Sequence, residues 1–486
     1  MLHRQATPWR LLCAFGQLII IPTIVHGVSF EIPASPPSTA SKQLIAAPIG
    51  VSLEFFTFPG YMNDVAATAT CLKNLGDVMG EMPPVRIGGT TQDRATYDAS
   101  LAEPVSYSVA DPADAPQTLT FGPSFMSLAG SYEGPVTLGL NRRLDNIDNT
   151  VAAATVAIEE MGNLYAIELG NEPNFFTGSD PIAGGSWDAS KDRTSQISWQ
   201  NSVGDRLAKT DIIQAGVFFG VGDYSIQNLI AQEGDAAQYV RSYCSHNYPQ
   251  SQSNADLARL MSHSSIAENI SPWKGEVEAA AGAGKPIVMG ETNSATQGGG
   301  GISPTFGAGL WLMDYILQSL VIGIESLFFH QGTIGNCQYC WWGRYSMGAP
   351  YYGAYFAALA LSGADQIAPL DTASTAYAGY VMYKDSKSVR VLLYNSDYYT
   401  SGTRGRETFT LTGLGASSVT NVTAKRMTAP SATARQDRGE VPSIAGQTFE
   451  DGTCVLLGEE GREEGTVSGG SVSFVVAASE AVLVYL

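Results

Sequence analysis

Two glutamates occupy positions where buried strands of an α/β protein would end. Glu172 follows an apolar run from residue 165 to 169, and Glu291 follows a second apolar run from 287 to 289. Short continuous apolar runs are typical of parallel strands covered on both faces, and the chemistry of α/β barrels lies where such strands end. A single Glu before Pro is often only a solvated turn residue. Two strand-end carboxylates instead predict the acid and the nucleophile of a glycosidase.

The elements around these glutamates alternate between strands and helices. Helical periods run from Leu144 to Met161 and from Phe306 to Leu320. Eight apolar or alternating runs predict strands at residues 48 to 56, 84 to 88, 135 to 140, 164 to 169, 211 to 218, 240 to 246, 285 to 290 and 323 to 329. The pattern predicts an α/β fold, a (β/α)8 TIM barrel over residues 46–364. Glu172 then ends the fourth strand and Glu291 the seventh, so both open on the same rim.

The pattern changes after residue 364. Residues 365–486 contain alternating apolar and polar runs separated by Gly, Ser and Asn turns, which predicts a C-terminal β-sandwich domain. Residues 28–45 contain a strand, from 28 to 33, and a Pro/Ser/Ala-rich connector, and we expect this strand to join the sandwich. Residues 97 to 130 are rich in Pro, Ala and Asp and predict an insertion in the barrel.

Residues 1–27 have the parts of a secretory signal peptide. Basic residues precede an apolar stretch from residue 11 to 25, and a small residue follows it. Polar residues interrupt the stretch, which is also short for a membrane span. We therefore expect a secreted, extracellular protein with no membrane partner. Glycosylation acceptors at Asn269 and Asn421 agree with this only if the chain enters a eukaryotic secretory route.

Charge and cysteine content narrow the possible functions. The formal net charge is −19 at pH 7, whereas nucleic acids and anionic membranes select basic surfaces. One of the six cysteines lies within the first 27 residues, so an odd number remains and at least one is free or paired between chains. Cys337 and Cys340 form a lone pair that favours a local disulfide, because no second pair completes a zinc site. We expect no nucleic-acid partner, no metal and no cofactor.

Four motifs resemble a known enzyme family. The Asn-Glu-Pro sequence after the fourth strand, together with the glutamate after the seventh, resembles clan A of the glycoside hydrolases. The Gly-rich continuation is similar to family 79, which contains heparanase and microbial β-glucuronidases. The resemblance extends from about residue 45 to the C terminus. The motifs are VRIGGTTQD (85–93), LGNEPNFF (169–176), SHNY (245–248) and GETNSATQGGGG (290–301).

The resemblance implies roles for individual residues. In clan A the first glutamate is the acid/base and the second the nucleophile, which assigns these roles to Glu172 and Glu291. Asn171 resembles the clan asparagine that binds the sugar 2-hydroxyl. His246 and Tyr248 lie where the clan places a tyrosine near the nucleophile, although a satisfied core histidine is an equal interpretation of His246.

The sequence also gives one expectation for the environment of Glu172 and two interpretations each for Arg86 and Glu54. Phe175 and Phe176 flank Glu172, and desolvation by them would raise its pKa. Arg86, on the second strand, either neutralises the surroundings of the nucleophile or forms a buried ion pair. Glu54, at the end of the first strand, either binds sugar hydroxyls, as the family suggests, or is an ordinary loop carboxylate.

An acidic chain must bind a substrate carboxylate through local donors. No Lys or Arg lies within ten residues after Glu291. Glycine N–H groups can converge into an anion-binding nest, and the start of the helix predicted at 304 to 322 would add a favourable dipole. The alternative is a flexible glycine loop. The expected nest consists of Gly298, Gly299 and Gly300.

Aromatic and cationic residues after the eighth strand are further candidates. The family resemblance implies that Tyr339 adds a hydroxyl to the carboxylate site, and Arg344 is the cationic alternative. Trp341 and Trp342 either stack on a sugar or form a packing patch.

The leading hypothesis is a retaining exo-β-glucuronidase that removes terminal β-D-glucuronic acid, or its 4-O-methyl form, from glycans or glycosides. The alternative enzyme is an endo-acting heparanase-like or neutral-sugar glycosidase on the same barrel. A catalytically inactive carbohydrate-binding protein is the alternative from another class, and the presence of both glutamates argues against it.

Overall fold

The computed structural model describes residues 27–297, 299–414 and 420–486 of the chain. Eight parallel strands form a closed barrel in their sequence order. We number these barrel strands β1 to β8: Ile49–Glu54, Val85–Gly88, Val136–Leu140, Leu164–Leu169, Ile213–Phe219, Val240–Asn247, Ile287–Thr292 and Leu327–Gln331. Each predicted strand overlaps one of them, which confirms the TIM barrel.

Helices connect the strands and cover the barrel. Consecutive strands are parallel, so each connection must cross back over the sheet. The last two helices pack closely where Gly353 of one meets Gly309 of the other. A Cβ atom at Gly353 would lie only 1.9 Å from the carbonyl oxygen of Gly309, so this contact requires glycine. The α-helices are Phe58–Asp64 and Ala67–Met79 after β1, Pro123–Gly130 after β2, Ile147–Glu160 after β3, Ala189–Leu207 after β4, Ile226–Glu233 after β5, Leu257–Leu260, His263–Ile270 and Trp273–Gly282 after β6, Phe306–Ile322 after β7 and Pro350–Leu361 after β8.

A small three-stranded sheet occupies the region predicted as an insertion. Its strands are Ala95–Tyr97, Val105–Tyr107 and Leu119–Phe121, with the last in the middle. The Phe121 ring packs edge-on against Phe55 in the segment after β1, with ring centroids 5.0 Å apart. The insertion therefore forms a wall on the rim where the barrel strands end.

The C-terminal part is a β-sandwich, as predicted. The strand Val28–Glu31 pairs in parallel with Arg406–Thr412, so the N-terminal strand belongs to this sandwich, whereas the domain boundaries at residues 45 and 364 stay predictions. Phe30, Phe409 and Val482 lie in the buried apolar core between the sheets. One sheet consists of Val28–Glu31, Arg406–Thr412 and Val472–Ala477, and the other of Gln366–Pro369, Tyr377–Lys384, Lys387–Asn395, Asn421–Thr428, Ser443–Ile444, Glu463–Thr466 and Glu480–Tyr485.

The barrel and the sandwich are joined covalently and by hydrogen bonds. A disulfide links Cys71, in a barrel helix, to Cys454. The Tyr352 hydroxyl donates to Gln436 Oε1 at 2.9 Å. In the described part of the chain, no helix is both long and apolar enough to cross a membrane. The predicted signal peptide lies outside the described residues except for Gly27.

Candidate active site

The two predicted catalytic glutamates face each other at the carboxyl ends of β4 and β7. Glu172 follows Leu169 at the end of β4, and Glu291 is the penultimate residue of β7. One carboxylate oxygen of each lies within 4.8 Å of the other. Retaining glycosidases hold their carboxyl groups about 5 to 5.5 Å apart, whereas inverting enzymes separate them by about 6.5 to 9.5 Å. The spacing fits double displacement.

The backbone at Glu172 has an unusual conformation for a residue with a side chain. Its φ is 45°, in the left-handed region, which costs roughly 1–3 kcal/mol. Its N–H donates to the Val217 carbonyl at 3.0 Å, and its carbonyl accepts the Phe175 N–H at 2.9 Å. These bonds to β5 and to the following turn fix the direction of the carboxylate.

Two hydrogen-bond donors and a nearby histidine surround the carboxylate of Glu291. Arg86 Nη1 donates to Oε2 at 2.8 Å, and the Tyr248 hydroxyl donates to Oε1 at 2.8 Å. His330 Nδ1 lies 3.8 Å from Oε2. Burial alone would raise the pKa of Glu291, but the positive charges of His330 and Arg86 and the Tyr248 hydrogen bond hold it well below the usual range. Glu291 is therefore ionised, as a nucleophile must be.

Glu172 has the opposite electrostatic environment. Burial first, and then the negative charge of Glu291, raise the pKa of Glu172 to about 8. His246 Nδ1 lies 3.0 Å from Glu172 Oε1. Burial and the charge of Arg86 lower the pKa of His246 to about 3, so this imidazole is neutral at pH 7. Glu172 consequently keeps its proton at neutral pH, as a general acid requires.

Arg86 fulfils both roles that the sequence left open. It is fully buried and forms an ion pair with Glu168 of β4, with Nε 2.9 Å from Oε2. The same guanidinium donates to Glu291 and to Ser52 Oγ, the latter at 3.0 Å. Gln214 Nε2 also donates to Glu168 Oε1 at 2.8 Å. Since all these partners are inside the barrel, Arg86 fixes the nucleophile relative to three other strands.

Asn171 has one side-chain group left for a ligand. Its Oδ1 accepts a hydrogen bond from Arg86 Nη2 at 2.8 Å, and its backbone N–H donates to Asp93 Oδ2 at 2.6 Å. Within the described residues, its Nδ2 has no hydrogen-bond partner. This amide N–H is free to donate to a sugar hydroxyl, which is the role that the clan resemblance implies.

Glu54 is engaged inside the protein. Its Oε1 accepts hydrogen bonds from the Thr91 N–H, at 2.9 Å, and from the Thr91 hydroxyl. Its Oε2 lies 3.3 Å from His330 Nε2. The side chain is 11% exposed, so a contact with a sugar hydroxyl remains open to it. Its observed partners make it a support for His330.

The aromatic neighbours of Glu172 differ from expectation. Phe175 is 57% exposed and packs against Phe219, with centroids 5.3 Å apart. Phe176 is buried against Trp187, with centroids 5.7 Å apart. The desolvation of Glu172 therefore comes from its burial in the barrel mouth, and Phe175 is too exposed to supply much of it.

The described part of the glycine loop has a left-handed backbone, and its role as an anion-binding nest stays a prediction. Gly298 lies outside the described residues. Gly299 and Gly300 have φ of 72° and 52°, in the left-handed region that favours glycine. Gly301 also has a positive φ, but its N–H donates to Gln338 Oε1 at 3.0 Å and is not free for a ligand.

The start of the following helix does not face a ligand, which corrects one prediction. The helix begins at Phe306, and the N–H groups of Phe306 and Gly307 donate to the carbonyls of Ala434 and Ala432 at 2.8 and 2.7 Å. These sandwich carbonyls occupy the positive end of the helix. The helix dipole is therefore unavailable to a substrate carboxylate, and only the glycine N–H groups of the expected nest remain.

Tyr339 lies on the catalytic rim. Its ring centroid is 6.2 Å from the rings of Tyr248 and of His330. The predicted disulfide between Cys337 and Cys340 is present and closes the loop that carries it. The position fits a hydroxyl donor at the sugar site.

The cationic and tryptophan candidates lie elsewhere. Arg344 lines a separate cleft of about 480 Å³ and lies 3.7 Å from Asp64. Trp341 and Trp342 are buried, and Trp342 Nε1 donates to Thr68 Oγ1 at 3.0 Å. The tryptophans are a packing patch, so neither stacks on a sugar.

Among the residues that the structure describes, two groups of side chains have the composition of a metal site. Glu168, Cys244 and His246 form one, and Glu172, His246 and Glu291 form the other. Glu168 is already paired with Arg86, and Glu291 is neutralised by Arg86 and His330. A cation in either group would have to compete for a carboxylate that already pairs with a positively charged side chain. The residues therefore fit a metal poorly.

The sequence analysis did not identify several residues of the site. His330 and Glu168 lie in or beside apolar strand runs. The apolar pattern of these runs predicts a strand but does not identify either residue as functional. Thr91 and Asp93 belong to the VRIGGTTQD motif, but nothing in the motif shows that they bind Glu54 and the Asn171 backbone. One feature of the sequence could have identified His330: it is an ionisable residue near the end of a predicted barrel strand.

Comparison with known proteins identifies relatives of this chain. A model of the glycosyl hydrolase family 79 C-terminal beta domain matches residues 377–483. The chain is 29% identical to a β-glucuronidase of Neurospora crassa over 79% of this chain and 78% of the relative. It is 29% identical to a β-glucuronidase of Aspergillus niger over 81% of each chain.

A solved structure is more similar. It is that of a 4-O-α-L-rhamnosyl-β-D-glucuronidase from Fusarium oxysporum 12S in a Rha-GlcA complex. The identity is 63%, the TM-score is 0.93, and the match covers 94% of this chain and 100% of the other. Together with the family match in the sandwich, this similarity over the whole length shows that the chain belongs to glycoside hydrolase family 79.

Proposed function

We propose that the chain is a retaining exo-β-glucuronidase that removes terminal β-D-glucuronic acid from glycans or glycosides. The observation that carries the proposal is the pair of Glu172 and Glu291, which lie within 4.8 Å and have pKa values displaced in opposite directions. The names of the relatives from Neurospora crassa and Aspergillus niger support glucuronic acid as the sugar.

In the first half-reaction the ionised Glu291 attacks the anomeric carbon. Arg86 and Tyr248 each donate to one of its oxygens and hold the carboxylate in position. Glu172 transfers its proton to the leaving glycosidic oxygen as the bond to the aglycone breaks. The products are the free aglycone alcohol and a glycosyl ester on Glu291.

In the second half-reaction Glu172 acts as a base. Once Glu291 is an ester, its negative charge is gone, and with it one of the causes that raised the pKa of Glu172. The ionised Glu172 then accepts a proton from a water that attacks the anomeric carbon, which releases the sugar with retained configuration. His246 Nδ1, at 3.0 Å, stabilises this ionised form when it carries the ring proton.

The substrate carboxylate, in this proposal, binds to backbone N–H groups of Gly299 and Gly300 and to the Tyr339 hydroxyl, and Gly298 remains a predicted member of the same site. Alanine substitutions in the loop are poor tests, because a Cβ at Gly299 would lie 2.4 Å from Ser303 Oγ. A Cβ at Gly300 would also lie 2.4 Å from Ala255 Cβ. Tyr339→Phe removes one hydroxyl and leaves the loop intact.

A glucuronide substituted at its 4-hydroxyl is the second candidate substrate. The relative from Fusarium oxysporum acts, by its name, on 4-O-α-L-rhamnosyl-β-D-glucuronides, and its 63% identity far exceeds the 29% of the two β-glucuronidases. This difference favours a rhamnosyl substituent over the 4-O-methyl group that the sequence led us to consider.

Three chromogenic substrates test the proposal. They are a β-D-glucuronide, its 4-O-α-L-rhamnosyl derivative and the corresponding β-D-glucoside. We expect rapid hydrolysis of at least one glucuronide and little of the glucoside. Preference for the glucoside would support the neutral-sugar alternative, and sugar binding without any turnover would support the inactive binding protein.

Secretion remains a proposal as well. Disulfides persist in oxidising compartments, and the described residues contain two, Cys71–Cys454 and Cys337–Cys340. They support the secretory signal predicted in residues 1–27. Mass spectrometry of protein from a culture supernatant should find an N terminus near residue 28, and retention of the first 27 residues would contradict it.

A further inference from the structure

Asp93 is a buried carboxylate beside the catalytic pair that takes no part in either half-reaction. It belongs to the short helical turn Thr90–Arg94 after β2 and is only 3% exposed. Its Oδ2 accepts the backbone N–H of Asn171 at 2.6 Å. Its Oδ1 accepts the N–H of Arg142 at 3.0 Å and that of Arg143 at 3.2 Å. Asp93 therefore joins the segments that follow β2, β3 and β4.

All hydrogen-bond partners of the Asp93 carboxylate are backbone N–H groups. Within the described residues, no basic side chain forms an ion pair with it. Burial raises the pKa of Asp93, although its three hydrogen bonds and the charge of Arg142 act in the opposite direction. Burying a charge without an ion pair is unfavourable. The role of Asp93 therefore lies in the three hydrogen bonds that it accepts.

The backbone of Asn171 depends on Asp93 more than the backbone of its neighbours does. The N–H groups of the residues before and after Asn171 donate to backbone carbonyls of β3 and β5, at 2.8 and 3.0 Å. Those two bonds join main chains and do not depend on the type of any side chain. The Asn171 N–H donates to the Asp93 side chain instead. A substitution of Asp93 therefore removes the one side-chain constraint on this backbone segment.

The same segment has a backbone that must be held in place. Gly170 and Glu172, on either side of Asn171, have φ of 85° and 45°, both in the left-handed region. This conformation is unfavourable for a residue with a side chain, and it persists only where the surrounding structure holds it. Loss of the hydrogen bond to Asp93 would let the middle of the segment move, and the Asn171 side chain would move with it.

The side chain of Asn171 lies beside the nucleophile. Arg86 donates through Nη2 to Asn171 Oδ1 and through Nη1 to Glu291 Oε2, both at 2.8 Å. Because both nitrogens belong to one guanidinium, the Asn171 amide is held next to the carboxylate that attacks the anomeric carbon. The sugar 2-hydroxyl is on the carbon next to that one, and hydrogen bonds to it strengthen in the transition state. The Nδ2 of Asn171 can donate to this hydroxyl.

We propose that Asp93 is a positioning residue, which holds the Asn171 backbone so that the Asn171 amide binds the sugar 2-hydroxyl in the transition state. The proposal rests on the proposed β-glucuronidase function and extends it to a residue that acts through Asn171. The alternative is a structural role, in which Asp93 only fixes the turn at Arg142 and Arg143. A positioning role affects only substrates that have a 2-hydroxyl, whereas a structural role affects all substrates.

The test compares 4-nitrophenyl β-D-glucuronide with its 2-deoxy analogue. Asp93→Ala removes all three hydrogen bonds, and we expect kcat/KM for the glucuronide to fall about ten- to a hundred-fold, as for a misplaced catalytic contact. For the 2-deoxy analogue kcat/KM should not change, because it has no hydroxyl for Asn171 to bind. Nitrophenol leaves with little help from an acid, so the comparison reports the 2-hydroxyl contact and not proton transfer from Glu172.

A double variant tests whether Asp93 acts through Asn171. Asn171→Ala removes the amide itself and sets the upper limit of the loss. The variant Asp93→Ala/Asn171→Ala should lose no more kcat/KM for the glucuronide than Asn171→Ala does, because the two residues serve one contact. Losses that multiply would show that Asp93 acts independently and would overturn the proposal.

Glu276→Gln is the matched control. Glu276 is also a buried carboxylate that accepts a backbone N–H, that of Gln227 at 3.0 Å, but it lies in the helix Trp273–Gly282 outside the barrel strands. This variant should change kcat/KM for neither substrate. Equal losses for both substrates in Asp93→Ala, or no loss for either, overturn the positioning role.

Circular dichroism shows whether each variant is folded. Asp93→Asn keeps one accepting oxygen, so it should show a smaller loss with the same dependence on the 2-hydroxyl. If Asp93→Ala does not fold, the comparison of the two substrates in Asp93→Asn decides the question. Failure of both variants to fold would show a structural role and overturn the proposal.

The positioning role and the glucuronidase function can fail separately. If the wild type prefers 4-nitrophenyl β-D-glucoside, the same comparison is made with this glucoside and its 2-deoxy analogue, since glucose and glucuronic acid differ at C6 and not at C2. A loss in Asp93→Ala that is confined to the 2-hydroxyl substrate then supports the positioning role for another sugar. Equal losses overturn it for either sugar, and no turnover of either sugar by the wild type overturns both proposals.

Discussion

Replacement of His263 by Gln should destabilise the contact between the barrel and the sandwich. His263 Nδ1 lies 2.8 Å from Asp314 Oδ2 in a barrel helix, and its Nε2 lies 2.9 Å from Asp371 Oδ1 in the sandwich domain. The Tyr380 hydroxyl of the sandwich also donates to Asp314. One buried imidazolium therefore bridges two carboxylates from the two parts of the chain.

The size of the effect follows from the pKa of His263. Burial alone would lower this pKa, but the charges and hydrogen bonds of Asp314 and Asp371 raise it from 6.5 to about 10. A rise of this size corresponds to roughly 5 kcal/mol, an upper bound for the preference of the folded protein for the imidazolium. Removing one member of a buried ion pair typically costs about 3–5 kcal/mol. We expect a loss of about that amount in His263→Gln.

The pH dependence distinguishes the charge from simple packing. Because the folded-state pKa of His263 is raised, its contribution is complete below pH 6.5 and is lost as pH rises through about 10. Urea unfolding followed by circular dichroism at pH 6 to 10 gives the free energy of unfolding. The difference between wild type and variant should be largest at pH 6 and shrink by roughly 1.4 kcal/mol per pH unit above pH 7. A difference that is independent of pH would refute the reasoning.

Three further predictions concern the catalytic acid and the long-range disulfide. Glu172→Ala should slow hydrolysis of methyl β-D-glucuronide far more than that of an activated aryl glucuronide, because protonation matters most for a basic leaving oxygen; steady-state kinetics showing equal losses would contradict the acid role. In the wild type, kcat/KM for the methyl glycoside should fall as pH rises through about 8, where Glu172 loses its proton, and a basic limb near pH 4.5 would be inconsistent with the buried pair. Cys71→Ala combined with Cys454→Ala should lower the free energy of unfolding by about 2–4 kcal/mol, measured by urea titration, and an unchanged midpoint would show that the link is dispensable.

The barrel was predictable because each buried parallel strand is a short apolar run with a helix after it. The same regularity located Glu172 and Glu291, since each comes at the end of such a run. His330 also lies near the end of a predicted strand, but its role depends on Glu54 and Ser52, which contact it from β1 and which the strand pattern does not identify as its partners. The role of one strand-end residue can thus be inferred from its own strand. Its partners lie on other strands, and the sequence does not show which residues these are.

Contacts between the two domains could not be predicted from the sequence. Cys71 and Cys454 are separated by 383 residues, and with an odd number of cysteines no pairing rule selects them. The glycines before the helix predicted at 304 to 322 favour an anion site at its start, which the structure places at Phe306. The carbonyls of Ala432 and Ala434 that occupy it come from a loop more than a hundred residues later. The local sequence pattern indicates a free helix end. In the folded protein, backbone carbonyl groups of the C-terminal part occupy that end.

The most direct test of the account is the identity of the residue that becomes a glycosyl ester. Incubation with an activated 2-deoxy-2-fluoro-β-D-glucuronide should trap the intermediate, because fluorine slows both its formation and its breakdown, whereas the good leaving group speeds its formation alone. Peptide mass spectrometry of the labelled protein should place the sugar on Glu291, and Glu291→Gln should remain folded and unlabelled. Label on any other carboxylate, or turnover with inverted configuration and no label, would contradict the two-glutamate double displacement.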